Sequence, residues 1–192
     1  MKNDVLHKKV EYANMRELVE WIGDTYGDKI AYSFRKDPVK GQVITKSFVQ
    51  LREDVRGLAT ELDSLGCKGK KCVIFAKYSY EWIVVYFSVL SVGGILVPLD
   101  KDWQGEDLAE TAKTAEADFV FCDKELSEKA AKIAEKVKLF TTPCYLNAEE
   151  SEENSVAGLI TAGKAMFEAS QDAYFNAVID PLALGLLVFT SG

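Results

Sequence analysis

The chain has 192 residues, 48% hydrophobic and 11% aromatic, enough apolar content to bury a core and to exclude a disordered tail. Its 23 basic and 30 acidic residues leave a net charge of −7. No Lys/Arg run interleaves with aromatics, so the footprint of a nucleic-acid binder is missing.

The first predicted element is a helix over 14–27, with Met15, Leu18, Val19 and Ile22 at helical spacing and Gly23 or Gly27 near its end. Before it, His7 belongs to a polar N-terminal arm. Residues 30–34 and 43–45 flank a turn with Asp37-Pro38 and Gly41, the pattern of a β-hairpin with a longer loop. Ser47 followed by Gln50 is a capping box. It opens an amphipathic helix with Phe48, Leu51, Val55, Leu58, Leu62 and Leu65 on one face. Arg52, Asp54, Glu61 and Asp63 are expected to point to solvent, and Gly66 to stop the helix.

From there strands and helices alternate. The predicted strands are 72–76, 95–99, 119–122, 139–146 (interrupted by Pro143) and 182–189. Between them fall helices over 79–92 and 106–115, a third carrying Leu126, Ala130, Ile133 and Val137 on one face, and a fourth over 156–169. The acidic stretch 148–155 reads as a solvated connection. Strands written as continuous apolar runs, each followed by a helix, specify a parallel sheet covered on both faces. The fold class is therefore α/β, doubly wound, with a small N-terminal β-hairpin. Residues 1–46 form the helix and hairpin appendage and 47–192 the α/β unit.

Residues 82–99 pass without a charge, the minimum length of a membrane span. Gly93-Gly94 breaks the run, Pro98 closes it, and acidic Glu81 and Asp100 flank it without a basic bias, so a helix, a turn and a strand account for it better. The four cysteines (Cys67, Cys72, Cys122, Cys144) form no C-x-x-C pair and His7 is the only histidine. That argues against a zinc site, a disulfide scaffold and a His-dependent triad, and for free thiols in a reducing, cytoplasmic setting.

In a doubly wound sheet, ligands bind beyond the carboxyl ends of the strands. The last predicted strand runs into Thr190-Ser191-Gly192, whose hydroxyls and close backbone N–H groups suit a phosphate, although the same composition is common in turns. Glu81-Trp82 reads as a helix start, Pro98 and Asp100 as the exit from a strand. Trp103 fits either an exposed interface or a cap on the sheet.

Several of these stretches occur together in one family. Val188-Phe-Thr-Ser-Gly192 resembles the start of the phosphate loop of adenylate-forming, AMP-binding enzymes, which continues Ser/Thr-Thr-Gly-x-Pro-Lys. Upstream, Leu62 to Gly66, Glu81-Trp82, Gly93-Gly94 and Val97-Pro98-Leu99-Asp100 follow the order seen in bacterial long-chain fatty acid–CoA ligases. Tyr78 departs from that pattern, standing where the family usually has Asn. The resemblance covers residues 12–192. It implies ATP, Mg²⁺ and CoA as cofactors and a fatty acid as substrate, with an acyl-adenylate intermediate. It also implies that Thr190, Ser191 and Gly192 contact the nucleotide, and it assigns no catalytic or metal-binding residue to this chain. The chain then reads as a fragment ending inside the loop, inactive alone and prone to self-association. Two alternatives stay open: a ligase loading a carrier protein, and a non-catalytic nucleotide- or partner-binding module.

Overall fold

The computed structural model describes residues 11–35 and 39–189. Helix α1 (Met15–Tyr26) starts at Asn14, whose side chain accepts the Glu17 N–H at 3.1 Å, and stops at Gly27 with φ +53°. β1 (Ile30–Phe34) pairs antiparallel with β2 (Ile44–Ser47), so the expected hairpin forms, its second strand shifted by one residue. The Asp37-Pro38 turn, like His7, lies outside the described residues. Both halves of the capping box are made at the start of α2 (Phe48–Ser64): Ser47 Oγ accepts the Gln50 N–H, and Gln50 accepts the Ser47 N–H at 2.9 Å.

The α/β unit follows as β3 (Lys71–Phe75), α3 (Tyr80–Ser91), β4 (Ile95–Pro98), α4 (Gly105–Thr114), β5 (Phe119–Cys122), α5 (Ser127–Lys136), β6 (Cys144–Tyr145), α6 (Val156–Ala169) and α7 (Asp172–Asn176). The four-stranded sheet is parallel throughout, in the order β4-β3-β5-β6. Alternation along each strand feeds two cores. Cys72, Ile74, Leu96, Phe119 and Phe121 face α2 and α3, while Val73, Phe75, Val97, Val120 and Cys122 face α4 and α5. With helices on both faces, the doubly wound arrangement is the one observed. Each fully buried Val, Leu, Ile or Phe contributes about 1.5–3 kcal/mol of apolar transfer.

The uncharged run 82–99 resolves into most of α3, a turn at Gly93 (φ +73°) and β4. Among the described residues no helix is long and apolar enough to cross a membrane.

Three expectations need correcting. The strand expected over 139–146 shrinks to Cys144–Tyr145, because Pro143 has no N–H for the ladder and Phe140 spends its own on the Asp118 carbonyl. The run 182–189 is not a buried strand: it touches the sheet through one parallel bridge, Leu186 to Leu96, and Leu182 is 92% exposed. Among the described residues β4 is the strand it touches. Asp54 does not face solvent; α3 and α6 both cover α2, and Asp54 is buried between them.

Candidate functional site at the carboxyl edge of the sheet

β3 is the first strand of the sheet, with β4 on one side and β5 on the other. The chain leaves β3 toward α3 and leaves β5 toward α5, which pack on opposite faces; in doubly wound sheets the ligand crevice falls at such a switch point, here between the carboxyl ends of these two strands. It is bordered by the β3–α3 loop (Ala76 to Ser79) and by Asp123 with the single 3₁₀ turn Lys124–Leu126.

Asp123 sits in this crevice, 5% exposed, and its Oδ2 accepts the Lys77 N–H at 2.9 Å. Burial pushes its carboxyl above the ordinary value; the Lys77 hydrogen bond works against that and does not cancel it. At the opposite end of the same strands Asp118 Oδ2 accepts the Lys71 N–H at 2.9 Å, and Lys70 approaches its other oxygen at 3.5 Å. Two aspartates flanking β5 thus hold the two backbone N–H groups flanking the body of β3.

The neighbouring loops are fixed as well. Ser79 Oγ caps α3 by accepting the Trp82 N–H at 3.1 Å, with Glu81 in the first turn, as the sequence suggests. Pro98 ends β4, and exposed Asp100 accepts the Asp102 N–H at 2.9 Å. Lys129 Nζ bonds the carbonyls of Lys101 and Trp103, each at 2.7 Å, which ties the β4–α4 loop to α5. Trp103 packs half-buried against the α4/α5 core, so it caps the sheet.

The segment that leads to the expected phosphate loop reaches the same edge. Leu96 N–H donates to the Gly185 carbonyl and Leu187 N–H donates to the Leu96 carbonyl, both at 2.9 Å, so 184–189 runs parallel to β4. Continuing that register puts Phe189 level with Leu99, at the carboxyl ends of the strands. Thr190, Ser191 and Gly192 lie outside the described residues.

The four cysteines are buried free thiols. Burial pushes Cys122 up to about 12 and Cys144 up to about 11. Contact with Cys67, their sulfurs 3.4 Å apart, raises Cys72, and burial adds to it. Cys72, Cys122 and Cys144 therefore lack the thiolate character a nucleophile needs. Among the described residues no group of three or more His, Cys, Asp or Glu side chains is placed to hold a metal ion. A cleft of about 360 Å³ opens at the other, amino-terminal end of the strands, beside Lys68, Gly93 and Asp180. It lies away from the crevice.

Sequence reasoning missed Asp123. An Asp directly after an apolar strand reads as an ordinary loop residue, and its burial depends on the fold of Lys77 from 46 positions upstream. Its position at a strand's carboxyl end was the available signal.

The comparisons with known proteins agree with this architecture. Crotonobetaine/carnitine–CoA ligase of Salmonella paratyphi A is 30% identical over 97 residues, which is 50% of this chain and 18% of the relative's length. A long-chain-fatty-acid–CoA ligase (FadD1) from Archaeoglobus fulgidus superposes with a TM-score of 0.67 at 16% identity, over 85% of this chain and 33% of that one. ATP-bound MatB from Rhodopseudomonas palustris superposes with a TM-score of 0.62 at 22% identity, over 79% and 28%. The chain thus spans under half the length of these proteins. A family model described as AMP-binding enzyme matches residues 19–192, and the chain belongs to that family.

Proposed function

We propose that the chain is the amino-terminal part of an AMP-forming acid–CoA ligase acting on a fatty acid. The observation that carries this reading is the family match over residues 19–192, which runs through the edge segment into Thr190-Ser191-Gly192. The stretch of 30% identity with a CoA ligase supports the acceptor.

In such a reaction a carboxylate oxygen attacks the α-phosphorus of ATP and the bond to pyrophosphate breaks. The CoA sulfur then attacks the acyl carbon, and AMP leaves. Thr190, Ser191 and Gly192 are the proposed contacts of the β- and γ-phosphates, through hydroxyl and backbone N–H donors that oppose the negative charge building there. Supporting this reading, β4 holds the segment 184–189 that precedes them in sequence, and Lys129 holds the β4–α4 turn. Mg²⁺ is the metal such chemistry uses; among the described residues no group of three or more His, Cys, Asp or Glu side chains is placed to hold it.

Residues 47–192 would form one subdomain of a larger unit, with 1–46 as its appendage, working in the cytoplasm. The chain spans 18% of the length of a CoA-ligase relative, and the 192 residues alone are proposed to be inactive. The test is pyrophosphate release with ATP, Mg²⁺ and a panel of medium- to long-chain acids, run on a version extended to the natural stop codon. Acid-dependent release that leads to thioester only when CoA is present supports the reading. Release with transfer to a carrier protein alone moves the assignment to a carrier-loading ligase. A folded, extended protein inert to every acid would overturn it.

A further inference from the structure

Cys67 and Cys72 meet inside the core on the α2/α3 side of the sheet. Their sulfurs stand 3.4 Å apart, and both residues are fully buried. Cys67 follows the end of α2, where its N–H donates to the Leu62 carbonyl and its carbonyl accepts the Lys70 N–H, both at 2.9 Å. Cys72 lies in β3, paired with Leu96 of β4 on one side and Phe119 of β5 on the other. Both backbones are thus held. Cys67 Sγ also lies against Gly94, where a Cβ would stand 3.0 Å from it. Among the described residues no other two cysteine sulfurs are in contact.

A disulfide needs its sulfurs about 2.05 Å apart. This pair has to close by roughly 1.4 Å, which rotation of the two side chains can supply. The contact is enclosed by the core itself, so it does not depend on what covers the surface of the sheet.

We propose that Cys67 and Cys72 form a reversible disulfide when a small peroxide oxidises them, tying the end of α2 to β3. Peroxide takes two electrons from one sulfur: its O–O bond breaks, one oxygen stays as a sulfenic acid and the other leaves as water. The second sulfur then attacks the first and the S–O bond breaks. That oxygen leaves as a second water, carrying the remaining thiol proton. A thiol reductant reverses the crosslink by exchange. Burial sets the rate, because peroxide reaches the sulfurs when the turn between α2 and β3 opens locally. Proximity sets the product, because the group touching either sulfur is the other one. The reaction is separate from the proposed ligase chemistry.

The test is peroxide treatment of the chain extended to its natural stop codon, followed by alkylation of the remaining thiols and tryptic mapping. Lys68, Lys70 and Lys71 lie between the two cysteines, so trypsin leaves Cys67 and Cys72 on separate peptides joined only by the disulfide. The linked pair is expected to exceed any other cysteine pairing about tenfold or more, and to vanish with dithiothreitol. Cys72→Ala should abolish the crosslink and raise capture of Cys67 by a sulfenic-acid trap about tenfold or more. Cys122→Ala and Cys144→Ala should keep the crosslink. Circular dichroism checks that each variant is folded, and the mapping of the unsubstituted chain decides by itself where one is not. Cys67 and Cys72 that stay reduced overturn the proposal. So does oxidation to sulfinic acid without a crosslink, or pairing of either residue with Cys122 or Cys144.

Discussion

Gly57 of α2 and Gly163 of α6 meet backbone to backbone. A Cβ on Gly163 would fall inside the van der Waals envelope of the Gly57 carbonyl oxygen, and one on Gly57 would stand 2.6 Å from the Ile160 carbonyl oxygen. α2 cannot retreat, because it also packs on α3 and the hairpin, so relief would have to come from lifting α6 off it. Gly163→Ala is therefore expected to cost about 3 kcal/mol, despite the better helix propensity of Ala. In a domain of this size the Tm should fall by roughly 6–12 °C, read by calorimetry. An unchanged Tm would mean the two helices do not cross at this point.

A second prediction concerns Asp54. Its Oδ2 accepts the Tyr80 hydroxyl at 2.7 Å and lies 3.2 Å from Lys46 Nζ, and its Oδ1 takes Lys164 Nζ at 2.5 Å. Burial raises its carboxyl, but the bonds from Lys164 and Tyr80 and the charges of Lys164 and Lys46 outweigh that and hold it below the ordinary 3.8. A depressed folded value means stability is present above the unfolded value and is lost as pH falls below about 4. Asp54→Asn should flatten that acid limb in urea titrations. Asp54→Ala should cost about 1–3 kcal/mol at neutral pH, chiefly by leaving the buried Tyr80 hydroxyl without its acceptor, since Lys164 is 39% exposed and keeps water around its charge.

Asp123 should behave in the opposite sense. Its raised carboxyl means the native state holds a proton more tightly than the unfolded chain, so this residue's contribution falls as pH rises from the ordinary carboxylate value through the folded one. Asp123→Asn keeps an oxygen for the Lys77 N–H and removes the buried charge. Above that window it is expected to be neutral or stabilising by about 1 kcal/mol. A loss of stability at pH 7 would show that the carboxylate is favourably solvated in the crevice.

The thiols supply a fourth prediction. Cys67, Cys72 and Cys122 are fully buried and Cys144 is 5% exposed. A disulfide reagent at pH 8 should label the native protein at least about a hundredfold more slowly than the urea-unfolded chain, where all four react. Fast native labelling of Cys122 would contradict its burial between β5 and α5.

The readability of the sequence varied with the range of the interaction involved. The capping box at Ser47 and Gln50 could be read directly because its partners lie three residues apart. Strand 119–122 and helix 156–169 likewise follow from local pattern alone. The burial of Asp54 is not legible because periodicity sees one apolar face, whereas α2 is covered from two directions and one of the two lysines on Asp54 lies 110 positions away. The run 182–189 was read as buried because its composition reports surface that favours being covered, whether or not a second strand is there to cover it. Helix α7 escaped notice because five residues show no period. For Thr190, Ser191 and Gly192 the motif order carried the assignment, and they stand outside the described residues.

The aspartates flanking β5 have a consequence for how the sheet assembles. Parallel strands have no hairpin turn to fix their alignment, and a slip of two residues between β3 and β5 would leave every apolar side chain on its proper face. Hydrophobic patterning is blind to that error. Asp118 and Asp123 are not: a two-residue slide would pull both carboxylates off the Lys71 and Lys77 N–H groups together. One would be drawn toward the apolar interior without a donor, at a cost of a few kcal/mol. They act as a vernier for a sheet whose hydrophobicity alone would accept the wrong mark, so a double replacement by alanine should yield a mixture of alignments rather than a uniformly weakened fold.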